Sequence, residues 1–203
     1  MKNLTLAIAL MLTLNLNAQS TIDTIIVTDG YTSYFNYDLH EPLYVEYKLY
    51  KGGGTCSRTG DKFTTGNLQE SATSADYKGG GYDEGHLANS KDFAYDCELQ
   101  KATFHFYNCV PQTQALNRGV WKVWETEIRK ESQTDSLEIY CGSIFTDKKL
   151  RNIGIPDKCW KVVYSLSSKK MLQCMIFDND KSNSFKNIAI DDLKKLLEYS
   201  VIF

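Results

Sequence analysis

The sequence has no surplus of positive charge. It carries 23 lysines and arginines against 25 aspartates and glutamates, a formal charge of −2. That argues against a broad basic face for nucleic acid. A nuclease is still allowed, because a cation and a few local positive side chains can hold one scissile phosphate. The charge does predict weak non-specific affinity for duplex that falls further with salt. There is no Cys-x-x-Cys and no close pair of histidines, which argues against a zinc site. No P-loop lysine follows Gly79-Gly80-Gly81, so that run reads as a flexible lead-in and not a phosphate cradle. Apart from the N-terminal stretch, no hydrophobic run suggests a membrane segment. No internal repeat, low-complexity tract or linker divides the chain, and one compact domain is the simplest account of 203 residues. A hydrophobic content of 42% places that domain among globular proteins and not disordered ones.

Met1 to Ala18 has the pattern of a signal peptide. Lys2 gives a basic start, Leu4 to Leu14 is mostly apolar, and Leu16-Asn17-Ala18 is an acceptable cleavage site. The run is too short to span a bilayer, and no cysteine follows the cleavage site to carry a lipid. The expectation is a secreted or periplasmic protein whose domain occupies residues 19–203. Six cysteines in an exported chain suggest disulfides. Cys97 and Cys109 are a plausible local pair, worth about 3 kcal/mol in the chain-entropy model.

Ile22 to Tyr50 is strand-like. Leu43, Val45, Tyr47 and Leu49 alternate with Tyr44, Glu46, Lys48 and Tyr50. Thr64 to Gly81 is polar and glycine-rich and reads as loop. Thr103 to Asn108 is aromatic and should be a strand ended by Pro111. Ala115 to Lys130 should be one helix, with Val120, Trp121, Val123, Trp124 and Ile128 as its apolar stripe. Leu137 to Ile144, Trp160 to Leu166 and Met171 to Phe177 read as further strands, and Ile190 to Leu197 as a short helix. The three tryptophans read as core, and His40 and His105 as structural.

The chemistry is concentrated between Tyr82 and Glu125. His86 follows a glycine at an expected turn, shaped by Asp83. Its ordinary pKa near 6.5 suits a general base. Asn117 opens the expected helix and reads either as an oxygen ligand for a hard cation or as a helix N-cap. Glu125, two turns on, can face the same cleft. A base, a neutral oxygen ligand and a carboxylate are the parts needed to activate water beside a divalent cation.

Asp83, Gly85 and His86, then Pro111-Gln112, then Asn117, Gly119, Trp121 and Glu125 resemble the motifs of the DNA/RNA non-specific endonucleases, the ββα-metal nucleases. The likeness runs from about Tyr31 to the C-terminus. It implies an α+β fold with a mixed, largely antiparallel sheet core flanked by helices and a ββα active-site unit. It implies Mg²⁺, with Mn²⁺ as a substitute, bound through Asn117, and DNA and RNA as substrates. His86 is the implied base, and Glu125 holds a water that protonates the leaving oxygen. Arg58 resembles an arginine that the family carries near the phosphate, and Asn108 a supporting asparagine. Glu84 departs from the pattern, since the family has arginine there. The alternatives are a catalytically impaired nucleic-acid-binding protein on the same fold, or a phosphodiesterase for a smaller substrate.

Overall fold

The computed structural model describes residues 21–203, so the expected signal peptide lies outside the described residues. The chain begins as a meander of β1 (Thr24–Val27), β2 (Thr32–Asn36) and β3 (Glu41–Leu49). A long loop with one helical turn, α1 (Ser74–Tyr77), leads to a ribbon of β4 (Tyr82–His86) and β5 (Cys109–Thr113), with α2 (Cys97–Ala102) between its strands. Helices α3 (Gln114–Arg118) and α4 (Val120–Glu131) follow. Then come β6 (Leu137–Leu150), β7 (Ile153–Ser165), β8 (Lys170–Asp178), β9 (Phe185–Asn187) and α5 (Ile190–Leu196). Seven strands form one sheet in the order β1-β2-β3-β6-β7-β8-β9, and β4-β5 stands apart. Every ladder between these strands is antiparallel. The architecture is α+β, as expected.

The sheet is covered on both faces at its centre. Val45, Cys141, Lys161 and Met175 lie opposite one another across four strands. Trp121 of α4 packs on this face, its ring 3.7 Å from Lys161 Nζ. The other face presents Tyr44 and Trp160, covered by Tyr199 and Phe203 from the C-terminal segment. Tyr199 accepts from Trp160 Nε1 and donates toward the carbonyls of Leu43 and Ser143, so this cover is fixed in register. Trp121 and Ile128 are almost fully buried. Each such side chain contributes about 1.5–3 kcal/mol of burial, which docks α4 against the sheet.

Two expectations about the middle of the chain need correction. The stretch Thr103 to Asn108 is not a strand: Thr103 caps α2, and Phe106–Asn108 form a single 3₁₀ turn. The strand begins at Cys109 and runs through Pro111. A proline fits there because each strand of a two-stranded ribbon has one edge without ladder bonds. The expected helix from Ala115 to Lys130 is broken at Gly119. A Cβ there would stand 2.2 Å from the Ala115 carbonyl oxygen, so only glycine permits the close turn between α3 and α4. Asn117 therefore ends a short helix and does not open a long one. Thr113 is the N-cap, its hydroxyl accepting from Leu116 N.

The expected pairing of Cys97 with Cys109 is also overturned. Cys97 is bonded to Cys56, and Cys109 is a buried free thiol. The α2 helix carries Cys97 toward the loop after β3, whereas Cys109 lies in the ribbon against the Tyr77 hydroxyl. The cross-link closes a separation of 41 residues, for which the chain-entropy model gives about 4 kcal/mol.

Candidate active site

His86 ends β4 and sits opposite Cys109 in the ribbon register. It is a strand residue, not a turn residue. Its backbone is held from two sides. Trp121 Nε1 donates to the His86 carbonyl at 3.2 Å. Asn108 is fully buried and folds the next residues around itself, accepting from Ala88 N at 2.8 Å and donating to the Ala88 and Thr103 carbonyls. Asn108 thus positions His86 and does not line the cleft. Around the imidazole stand Phe63 and Phe104, with ring centroids 4.6 and 4.7 Å away. Nε2 is shut off from solvent and has no hydrogen-bond partner among the described residues. Burial, reinforced by the Arg58 charge, pulls the His86 pKa down to about 3.

Asp83 does not shape a turn through backbone N–H groups. Its carboxylate accepts two bonds from the Arg118 guanidinium, at 2.8 and 2.7 Å, and one from Asn117 Nδ2 at 3.0 Å. Burial raises the Asp83 pKa, but the bonds from Arg118 and Asn117 outweigh it and hold it below the usual range. The bond to Asn117 fixes the orientation of its amide. With Nδ2 turned to Asp83, Oδ1 is left without a bond among the described residues, able to serve as an oxygen ligand. The capping role considered for Asn117 is excluded by its place at the end of α3.

Glu125 lies on α4 and is buried. Burial raises its pKa, opposed by the charge of Lys161 and a hydrogen bond from Asn89. Beneath it, Asp92 accepts from Arg129 Nε at 2.8 Å and from the Tyr47 hydroxyl at 2.9 Å. A further Arg129 nitrogen donates to Asn89 Oδ1 at 3.0 Å. This ties α4 to the segment that follows His86.

These groups meet in one cleft of about 700 Å³. His86, Asn117, Glu125, Arg58 and Glu84 all line it, from the ribbon, α3, α4 and the loop after β3. The residues fit a hard divalent cation: an oriented amide oxygen and nearby carboxylates form an all-oxygen donor set. The described residues hold no cluster of three acidic, histidine or cysteine ligands. A cation there would keep much of its water shell, as Mg²⁺ does.

Sequence reasoning missed the aromatic walls at Phe63 and Phe104 and the Asp92–Arg129 brace. Phe63 stands in a polar loop, where no periodicity marks it. Trp121 was legible as core, but its bond to the His86 carbonyl was not.

Comparison with known proteins gives the family and the fold. The family model for DNA/RNA non-specific endonuclease matches residues 12–201. A protein named Nuclease from Nostoc is 38% identical over 95 residues, 45% of this chain and 35% of its own length. Bovine mitochondrial endonuclease G is 33% identical over 75 residues, 36% of this chain and 25% of its own. Mitochondrial nuclease 1 of Schizosaccharomyces pombe is 28% identical over 165 residues, 70% of this chain and 51% of its own. The matched segments thus span from a quarter to about half of these relatives. The fold resembles the crystal structure of an EndoG/EndoGI complex with a TM-score of 0.78 at 17% identity, covering 88% of this chain and 85% of that one. The chain belongs to the DNA/RNA non-specific endonuclease family.

Proposed function

We propose that this chain is a divalent-cation-dependent endonuclease that hydrolyses phosphodiester bonds of DNA and RNA without sequence specificity, outside the cytoplasm. The observation that carries this reading is the convergence of His86, Asn117, Glu125 and Arg58 on one cleft from four separate segments. The names of the relatives, nuclease and endonuclease G, support it.

In this reading His86 accepts the proton of the attacking water. Burial keeps it neutral throughout the physiological range, and the negative charge of a bound phosphate strengthens it as a base. With Nε2 enclosed, Nδ1 is the nitrogen that meets the water, and the π systems of Phe63 and Phe104 act as weak acceptors for the Nε2 proton. Arg58 and Lys122 face the phosphate and offset the charge that grows on it. Asn117 Oδ1 holds the cation, and Glu125 orients a water that can give its proton to the leaving 3′ oxygen. When bound, Mg²⁺ or Mn²⁺ neutralises phosphate charge and eases departure of that oxygen.

One observation favours a second reading. Glu84 lines the cleft and has no cationic partner among the described residues. A carboxylate there opposes long polyanions and suits an impaired enzyme or a smaller phosphodiester.

Plasmid DNA and RNA incubated with the protein and Mg²⁺ should be degraded, and EDTA should stop the reaction. Intact nucleic acid with Mg²⁺ present, or equal cleavage in EDTA, would overturn the proposal. Export rests on the Met1 to Ala18 pattern and on the Cys56–Cys97 disulfide. Fusing residues 1–18 to a reporter active only outside the cytoplasm tests it: a silent reporter removes the export claim.

A further inference from the structure

Arg58 lies two residues beyond Cys56, in the loop between β3 and the ribbon. Up to Cys56 that loop is laced to the segment 89–97. Gly53 N donates to the Asp92 carbonyl and Cys56 N to the Ala94 carbonyl, both at 3.1 Å. Lys91 Nζ donates to the Gly54 carbonyl at 2.7 Å. At Gly54, with φ +138°, a Cβ would stand 2.1 Å from the Ala94 oxygen, so the two backbones are in contact. The Cys56–Cys97 bond closes this seam onto the first residue of α2.

Between Cys56 and Phe63 the lacing stops, and the backbone next meets another segment at Thr64, whose N donates to the Phe104 carbonyl at 3.0 Å. Ser57 and Thr59 bond only each other's neighbourhood. Arg58 has no carboxylate partner among the described residues, and its guanidinium reaches only Ser90 Oγ, at a long 3.4 Å. Its charge is nevertheless near enough to act on His86. A long, exposed side chain held by one weak contact depends on where its backbone is anchored, and the cross-link is the nearest fixed point.

We infer that the Cys56–Cys97 disulfide is a positioning element for catalysis: it holds Arg58 over the scissile phosphate. The inference rests on the endonuclease reading above. Breaking the cross-link lets the loop after Cys56 drift, and a displacement near 1 Å at a charge-stabilising group can cost orders of magnitude in rate.

The test is a cycle of four full-length proteins: wild type, Cys56→Ala/Cys97→Ala, Arg58→Ala, and all three substitutions together. Cleavage of a fluorescent DNA oligonucleotide with Mg²⁺ gives kcat and KM for each. Arg58→Ala should lower kcat/KM by about 100-fold. The cysteine pair variant should lose roughly tenfold, mostly in kcat. The triple variant should be no slower than Arg58→Ala alone. Full activity in the pair variant overturns the inference, and so does a triple variant that loses the product of both effects. Should the pair variant fail to fold, Ser57→Gly loosens the same tether with the disulfide intact. It should lower kcat/KM several-fold in wild type and not at all in Arg58→Ala. An equal loss in both backgrounds overturns the inference. A wild type without Mg²⁺-dependent cleavage sinks the endonuclease reading itself, a result distinct from an additive cycle in an active enzyme.

Discussion

On the wall of the cleft formed by β4, α3 and α4, both arginines are held by acidic and amide partners. Arg118 is spent on Asp83, and Arg129 on Asp92 and Asn89. On the wall formed by the loop after β3, Arg58 has a single long contact with Ser90. The paired wall places groups by many small bonds, and its chemistry lies in the atoms those bonds leave over: Asn117 Oδ1, the Glu84 carboxylate and His86. The loop wall leaves its cation free to meet a phosphate. Its backbone is held by the lacing and cross-link up to Cys56 and again at Thr64, with no backbone bond to another segment between them among the described residues.

The largest break in this comparison is loss of His86. His86→Ala should lower kcat by about 10²–10⁴-fold, the usual worth of a positioned base. The fold should persist, because Trp121 and Asn108 hold the backbone there. The pH profile sharpens the assignment. A base with pKa about 3 is already neutral far below pH 6.5, so kcat/KM should show no histidine step between pH 6 and 7. Glu84 and Glu125 have raised pKa values, both chiefly through burial. Glu125 loses its anion as pH falls through its raised value, so the acid limb belongs to it, whereas protonating Glu84 removes a repulsive charge and should not slow cleavage. A step near 6.5 in wild type would show that His86 titrates normally and that its imidazole is open to water.

Next in size is the buried brace. The Asp92 side chain is 2% exposed and its partner Arg129 17% exposed. Removing one member of a buried ion pair leaves the other uncompensated, so Asp92→Ala should cost about 3 kcal/mol or more in urea unfolding. Arg118, 64% exposed, pairs at the surface. Arg118→Ala should leave the unfolding midpoint close to wild type. Equal losses in the two variants would erase the distinction between structural and catalytic pairs on this wall.

The large sheet was legible because its strands are apolar, β-rich runs, with alternation to Glu46 and Lys48 toward the end of β3. β3 and β8 were anticipated within about two residues, whereas β6 runs six residues past the expected Ile144 and β7 begins seven before the expected Trp160. The ribbon was not legible, and the helices that follow it were, except for the break between them. Period-two reading has no purchase on β5, which is buried along Cys109–Gln112 and contains a proline. Helical periodicity carried straight through Gly119, since the break comes from a backbone contact and not from the apolar stripe. The site was legible as a set of residue types at motif spacing. Its bonds were not, because Asp83 with Asn117, and Cys56 with Cys97, join segments far apart in the sequence. Cysteine spacing alone favoured the wrong pair.

A smaller effect is expected in cation binding. If the Asp83 bond is what leaves Oδ1 free, then Asp83→Ala should act on the cation without touching it. Asn117→Ala should raise the Mg²⁺ concentration for half-maximal cleavage by about 10–100-fold, and Asp83→Ala by about tenfold. Terbium luminescence offers a reading that does not need turnover. An unchanged midpoint in Asp83→Ala would show that Asn117 orients itself without help.

The smallest effect concerns Glu84, and its sign decides between the two functional readings. Glu84 and Asp83 are neighbours on β4 with opposite fates. Asp83 is neutralised by Arg118, while Glu84 is left half-buried with its pKa pushed up by burial and then by Asp83. A negative charge in the cleft opposes a phosphate that gains charge in the transition state. Arg58 and Lys122 already supply cations, so a further one should add less than the full worth of a first donor. Glu84→Arg should raise kcat/KM on DNA by several-fold, on the order of tenfold at most. Glu84→Gln, which only removes repulsion, should raise it less. The ranking is measured on one oligonucleotide at fixed salt, since surface charge also changes non-specific affinity. If both substitutions slow cleavage, Glu84 works with the cation or as an acid. The site is then specialised for a phosphodiester smaller than long nucleic acid. If wild type and both variants are inert with Mg²⁺ present, the cleft binds without cutting.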